Sequence, residues 1–317
     1  MKLEDQLLPI LEVARYAPSV HNTQPWLVKL NSPSTLQITL NEQHKLQDGD
    51  PTGRQTTISL GIFVEAIAIA ASNVGFELAS TELNDRGTLL HFKEANVQNN
   101  SQLINLLRTR CTDRSIYSEA LIDNNISQKL EAVRESHGVS AKVVTNKKII
   151  DTIADLTSKG IGVALSSPGF RRELSSYLTL PWSRKRRGIA IRSLYIPLLL
   201  ELCEPLLMRL GIGLKAESTL EKRRWESASG VVILLADGDM PKYWFEVGRT
   251  YLQVSLAIEA EGLSQATSAA IVEASNYHED IEDKLGTNQR ILALIRIGNG
   301  SSRRHYSPRV RVEDLLT

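Results

Sequence analysis

Apolar positions along the chain follow two periods, and their order is informative. At 7–16 they recur with helical spacing; Pro9 is tolerated only in a first turn, and the pattern stops at Pro18. After a polar stretch at 19–24, residues 26–30 alternate as a strand does, and 36–40 supply a hairpin partner. Asp48-Gly49-Asp50-Pro51 reads as a turn. The strongest predicted helix, 58–74, is apolar nearly all round and so buried on several sides, with Gly75 as its C-cap. A strand at 89–93 follows. The plan then recurs: helix at 126–135, strand at 141–145, strand at 231–236, the turn Asp237-Gly238-Asp239, a second apolar helix at 247–261 ending at Gly262, and a closing strand at 291–297.

Aligning 61–76 with 248–263 matches both glycines without a gap, and LEVAR at 11–15 resembles LEAVR at 130–134. Amphipathic helices resemble one another by chance; the recurring order of elements favours a degenerate duplication. The halves divide at about residue 100, into 1–100 and 101–317. Only the first has the stretch APSVHNTQPW at 17–26. Only the second is preceded by RCTDRSIY at 110–117, and it carries an insertion at about 156–219. Each half keeps a different polar element.

Composition narrows the class. With 42% hydrophobic and 23% charged residues the chain is globular, and 37 Lys+Arg against 36 Asp+Glu remove a field-scale argument for nucleic acid or an acidic partner. Cys111 and Cys203 stand far apart, so no disulfide framework or CxxC motif exists. The six histidines lack metal-ligand spacing, so no metal site is expected. The first residues do not read as a signal peptide. Residues 188–213 are rich in Leu and Ile, but Arg192, Glu201, Glu204, Arg209, Pro197 and Pro205 interrupt the run. They read as a kinked pair of short amphipathic helices that pack on the body or close over something. The expectation is a cytoplasmic protein with a small-molecule substrate and no nucleic-acid or membrane partner.

The loop at 17–26 is dense in uncharged hydrogen-bonding groups that can orient a neutral polar ligand; alternatively it is an Asx-type turn satisfying its own backbone. Arg110, Thr112 and Arg114 alternate, which in an extended stretch puts two guanidinium groups and a hydroxyl on one side, suited to phosphate. A solvated turn with Asp113 pairing a neighbouring Arg is the other reading. Arg309 and Arg311 repeat the basic spacing, or belong to a surface tail. Gly211-Ile212-Gly213-Leu214-Lys215-Ala216 fits GxGxxA but ends a helical stretch, so it reads as a C-cap. Ser167-Pro168 reads as an N-cap with Pro at N1, opening a helix to 178, and the basic run at 182–187 is a solvated face or a docking patch for a phosphate group.

ARYAPSVHNTQPW at 14–26 resembles the ARxAPSxxNxQPW signature of the nitroreductase family of FMN flavoproteins, and RCTDR at 110–114 resembles that family's RxSxR element. With the closing PRVRVEDLL, the chain resembles the Acg-like branch along almost its whole length. The resemblance implies an α+β nitroreductase-like fold: an internally duplicated pseudo-dimer, central helices packed on antiparallel or mixed sheets, and a lid-like helical insertion. One FMN would lie between the halves, the second site being lost where Ser136-His137-Gly138-Val139 replaces the loop. Carried over by position, Arg110, Thr112 and Arg114 would hold the phosphate and the ring's polar edge, Pro18, Ser19 and Asn22 would line the opposite face, and Gln24 would support the loop. Arg309 and Arg311 would form a C-terminal basic pair, and the backbone of Thr267 and Ser268 would pass the ring. Cys111 stands where relatives often carry Arg or His; His21 would touch the flavin or a substrate, or, the preferred reading, serve as a hydrogen-bonded loop residue. The implied activity is hydride transfer from NAD(P)H through FMN to a small organic acceptor, nitroaromatic, quinone or similar, with no protein acid, base or nucleophile required. The alternative is a flavin-sequestering protein with a closed lid.

Overall fold

The computed structural model describes residues 2–84, 87–133 and 138–317. The first half runs α1 (Leu3–Ala14), β1 (Trp26–Ser32), β2 (Thr35–Leu40), α2 (Arg54–Ser72), β3 (Phe76–Asn84) and β4 (Gly87–Glu94). The chain continues through α3 (Ser101–Thr109), α4 (Asn124–Glu131) and β5 (Val139–Val144) into a helical excursion. That excursion holds α5 (Lys147–Ser166), α6 (Pro168–Ser176), the two-residue strands β6 (Leu178–Thr179) and β7 (Ile189–Ala190), α7 (Leu198–Glu201), α8 (Glu204–Leu210) and α9 (Leu214–Glu226). It closes with β8 (Gly230–Ala236), α10 (Pro241–Ala260), β9 (Ser264–Thr267), α11 (Ala270–Glu273), α12 (Tyr277–Leu285) and β10 (Arg290–Gly298).

The fold is α+β. Two antiparallel four-stranded sheets have the orders β1-β2-β4-β3 and β5-β8-β10-β9, which are the same order, first-second-fourth-third, when the strands of each sheet are numbered in sequence and the separate β6-β7 pair is set aside. Between them α2 and α10 pack on each other. Their contact is backbone to backbone: a Cβ on Gly61 would lie 2.0 Å from the Phe245 carbonyl oxygen, and one on Gly248 would lie 2.0 Å from that of Ile58. No larger residue permits that approach. The β8 run GVVILLA is buried throughout because both faces of its sheet are covered. Val232 and Leu234 face the central helices, while Val231, Ile233 and Leu235 meet Ile150, Ile153 and Trp225 of α5 and α9.

Several boundaries differ from expectation. The first helix starts at Leu3, so Pro9 lies in its interior; Leu3, Ile10 and Leu11 are fully buried, and that packing holds the turn that proline weakens. The second helix begins at Arg54, where the buried Asp50 carboxylate accepts the Gln55 and Thr56 N–H groups at 3.0 and 2.7 Å, and its C-cap is Asn73 rather than Gly75. The partly exposed β3 and the short β9, α11 and α12 had no clear periodicity. Residues 134–137, which include part of the LEAVR repeat and Ser136 and His137, lie outside the described residues. Among the described residues one helix, Arg54–Ser72, is long and apolar enough to cross a membrane, but 78% of that window is buried inside the fold. Ser167 does cap α6, accepting from the Phe170 N–H with Pro168 at N1, and Gly211 ends α8 at φ 75°.

Candidate functional site

Four segments meet at one half-open cleft of about 60 Å³: the loop after α1, the loop after α3, the strap around β7, and the tail beyond β10. The first loop is fixed from both ends. Trp26, fully buried, stacks on Phe63 of α2 at 4.3 Å, and the Val20 N–H donates to Ser59 Oγ of the same helix at 3.0 Å. Between these anchors His21, Asn22 and Gln24 adopt positive φ values of 46°, 54° and 47°. Each such non-glycine residue costs about 1–2 kcal/mol, so the turn persists only because its side chains are held elsewhere.

The holding partners are distant in sequence. Asn22 Nδ2 donates to the carbonyls of Gly188 at 2.9 Å and Pro308 at 2.8 Å, and its Oδ1 accepts from Arg309 Nη1 at 2.7 Å. Gln24 Nε2 donates to the Arg186 carbonyl at 2.9 Å, while its Oε1 accepts the Val310 N–H at 3.0 Å. Arg187 Nε donates back to the Thr23 carbonyl at 3.0 Å. A self-satisfied Asx turn is therefore excluded. Asn22 and Gln24 tie strap and tail to the loop, and all three of Asn22's side-chain hydrogen bonds are made within this chain.

The cleft is electropositive. Arg110, Arg114 and Arg309 line it with Thr112, Pro18 and Ser19, and none of these three arginines has a carboxylate partner among the described residues. Arg110 Nε and Nη1, Arg309 Nε and His21 Nδ1 are buried without any hydrogen-bond partner. Burial, with Arg110 alongside, pulls the Arg309 guanidinium down to about 9. Burial and then Arg224 draw Arg114 below its ordinary value; its Nη1 donates to Ser193 Oγ of the strap at 3.2 Å. Burial and Arg114 push the His21 imidazole down to about 4, so it is neutral at neutral pH. Asp113 pairs with no arginine side chain among the described residues. Its carboxylate accepts the Ser115 and Ser301 N–H groups at 2.8 and 2.9 Å and so shapes the loop. Unpartnered buried donors around a polar opening are the chemistry of an anion site.

One expected residue, Arg311, lies elsewhere. Arg311 is exposed and folds back on Asp314 at 2.9 Å, because the chain turns into a short 3₁₀ segment there. The expectation for Thr267 and Ser268 concerned their backbone. Thr267 Oγ1 donates across to the Leu294 carbonyl of β10 at 2.7 Å, Ser268 Oγ accepts the Ala270 N–H at 3.3 Å, and Tyr251 contacts both Thr267 and Arg110; the Thr267 and Ser268 side chains are outside the lining of the cleft. Conversely, His21, Cys111, Ile189, His305, Tyr306 and Ser307 do line it. His21, expected either at the ligand or in a loop hydrogen bond, has an Nδ1 with no hydrogen-bond partner among the described residues and meets the Phe170 ring edge-on at 6.2 Å. Cys111 lay within the RCTDR element already singled out; Ile189, His305, Tyr306 and Ser307 carried no signal in the sequence.

No family profile matches the chain. Among curated proteins it is 29% identical over 115 residues to the candidate NAD(P)H nitroreductase Rv3131 of Mycobacterium tuberculosis (strain ATCC 25618 / H37Rv), 34% of this chain and 33% of the relative. To the candidate NAD(P)H nitroreductase PigM of Serratia sp. (strain ATCC 39006) it is 22% identical over 186 residues, 55% of this chain and 52% of that one. The chain thus spans about a third to a half of the length of these relatives. Among solved structures, the FMN-dependent nitroreductase NfnB of Mycobacterium smegmatis in complex with NADPH aligns with a TM-score of 0.43 at 17% identity, covering 68% of this chain and 97% of that one. Iodotyrosine deiodinase bound to FMN and 3-iodo-L-tyrosine also aligns with a TM-score of 0.43, at 14% identity over 66% and 95%. Scores below 0.5 are too low to carry a functional argument, which rests on this chain's own residues.

Proposed function

We propose that the cleft binds FMN and that the protein is an NAD(P)H-dependent FMN oxidoreductase of the nitroreductase type, in its Acg-like branch. The observation that carries this is the set of buried guanidinium donors on Arg110 and Arg309 that lack any partner in a chain of net charge +1. A phosphate group satisfies them. The names of the curated relatives, both NAD(P)H nitroreductases, agree with the reading. Arg110, Thr112 and Arg309 would hold the phosphate and Arg114 the polar edge of the ring. Pro18 and Ser19 form the facing wall, while Asn22 and Gln24 position strap and tail. FMN, when bound, supplies the redox chemistry between NAD(P)H and a small acceptor of the nitroaromatic or quinone class. The protein's part is electrostatic: fixed positive charge favours the ligand's anionic groups without reorganisation.

The same proposal treats 1–100 and 101–317 as two halves of one duplicated unit. Their shared strand order and the facing Gly61 and Gly248 support it. The free thiols, Cys111 buried and Cys203 exposed, fit a reducing compartment such as the cytoplasm. The strap's bonds to Asn22, Gln24 and Thr23 favour a second reading, a protein that sequesters flavin under a latched cover. Anaerobic absorbance of the purified protein separates the two. Flavin bands that bleach with NADPH or NADH support the reductase, and bands that bleach only with dithionite support sequestration. Arg110→Met should release flavin. Protein that stays colourless after incubation with FMN refutes both.

A further inference from the structure

Away from the cleft, the surface of the helical excursion is unlike the rest of the molecule. Leu198, Leu199, Leu200 and Leu202 on and just after α7, with Leu206 and Leu210 on α8, are 45–83% exposed. Together they expose on the order of 600 Å² of apolar surface, the upper end of what a monomer leaves uncovered. Three consecutive leucines cannot share one side of a helix, so α7 stands proud of the body rather than lying in a trough.

Charge is segregated onto the same excursion. Residues 168–216 hold nine Lys/Arg against three Asp/Glu, a net of +6 in a chain whose total is +1. Two of those acids are occupied: Glu173 accepts the N–H groups of Gln47, Asp48 and Gly49, and the buried Glu201 lies 3.8 Å from Arg192. Arg209 is exposed between Leu206 and Leu210. The exposed Trp182, Arg184 and Lys185 lie on the turn after α6, which packs on α8, and Lys185 Nζ donates to the Ser176 carbonyl at the end of α6.

We infer that this excursion docks on an anionic lipid surface, the leucines of α7 and α8 entering the acyl boundary and the basic residues meeting the headgroups. Exposed leucines beside Trp, Arg and Lys on short helices are the composition of an interfacial anchor. A second copy of the chain is the poorer occupant, because a two-fold interface would press one +6 surface against another. A protruding apolar turn is also accommodated by a fluid layer without a groove cut to match it. The expectation of no membrane partner came from the lack of a spanning run and the near-zero total charge; neither bears on a surface contact made by one segment.

Flotation of the full-length protein with vesicles tests this, whatever its flavin content. Binding is expected to vesicles of phosphatidylcholine mixed with phosphatidylglycerol, not to phosphatidylcholine alone, and is expected to fall as NaCl rises. Arg184→Gln with Lys185→Gln should weaken partition about 25-fold, roughly fivefold per basic residue. Leu199→Glu should weaken it more than tenfold. All these positions are exposed, so thermal melts of the variants should match the parent. Equal binding to both vesicle types, or to neither, overturns the inference. A dimer in size-exclusion chromatography that Leu199→Glu disperses, without vesicle binding, also overturns it and makes the face an interface between copies.

Discussion

Replacing Asn22 by alanine removes three hydrogen bonds at once while leaving its backbone at φ 54°. The two bonds to the Gly188 and Pro308 carbonyls are neutral, at about 1 kcal/mol each, and the one from Arg309 is charge-assisted, at about 1.5 kcal/mol or more. A Cβ-bearing residue without a polar side chain adds about 1 kcal/mol of left-handed strain. The expected loss for Asn22→Ala is therefore about 4 kcal/mol. Asn22→Gly keeps the bond losses but relieves the strain, so it should cost about 3 kcal/mol. Equilibrium unfolding in urea, followed by far-ultraviolet circular dichroism, reads both. The order Asn > Gly > Ala separates the side chain's tethering from its backbone preference. A loss below about 1 kcal/mol for Asn22→Ala would refute the claim that this residue holds strap, tail and loop together.

Gly248→Ala should cost 3 kcal/mol or roughly that, since its Cβ would sit 2.0 Å from a carbonyl oxygen and the helices must separate. Combining it with Gly61→Ala should cost less than the sum, because the first change already opens the contact; a strictly additive double mutant in thermal unfolding would count against the crossing. His21, held near 4, should make the protein lose stability as pH falls from about 6.5 toward 4. There the unfolded chain takes up a proton that the folded one excludes, with stability fully present above the unfolded value. His21→Asn should flatten that slope by an amount on the order of 2–3 kcal/mol, and unchanged pH dependence of the urea midpoint would argue against it. Glu173→Gln should loosen the grip of α6 on residues 47–49, and trypsin should then cut at Arg184–Arg187 several-fold faster; an unaltered digestion rate would remove Glu173 from the latch.

Long periodic elements were legible in the sequence because burial imposes their pattern locally. Residues 58–72 could only be a buried helix, and 231–236 only a strand covered on both faces. The kinked helices of 198–210 and the Ser167 cap were readable for the same reason, since proline and capping residues act within one turn. Pro9 misled because the cost of an interior proline is local, whereas the burial of Leu3, Ile10 and Leu11 that overrides it is tertiary. In the site, residue types pointed to Arg110, Thr112 and Arg114, but no pattern shows that Asn22 spends its side chain on Gly188 and Pro308, 166 and 286 residues away. Arg309 and Arg311 looked alike until the fold gave Arg311 an acid three residues on and Arg309 none. Net charge concealed the basic excursion because the acids that balance it lie elsewhere in the chain.

The tail that carries Arg309 threads back to the first half, where the Thr317 N–H donates to the Val28 carbonyl beside β1. Asn22 and Arg309 are 287 positions apart. At about 5–20 residues per second, a ribosome that has made the first loop needs roughly 15–60 s to deliver its last partner. Until then the loop has its anchors on Phe63 and Ser59, and later Gly188 and Arg186, but not the tail contacts from Pro308, Arg309 and Val310. The loop's full set of tethers therefore depends on residues made 287 positions after it, and a chain truncated before Pro308 lacks the tail's share of them.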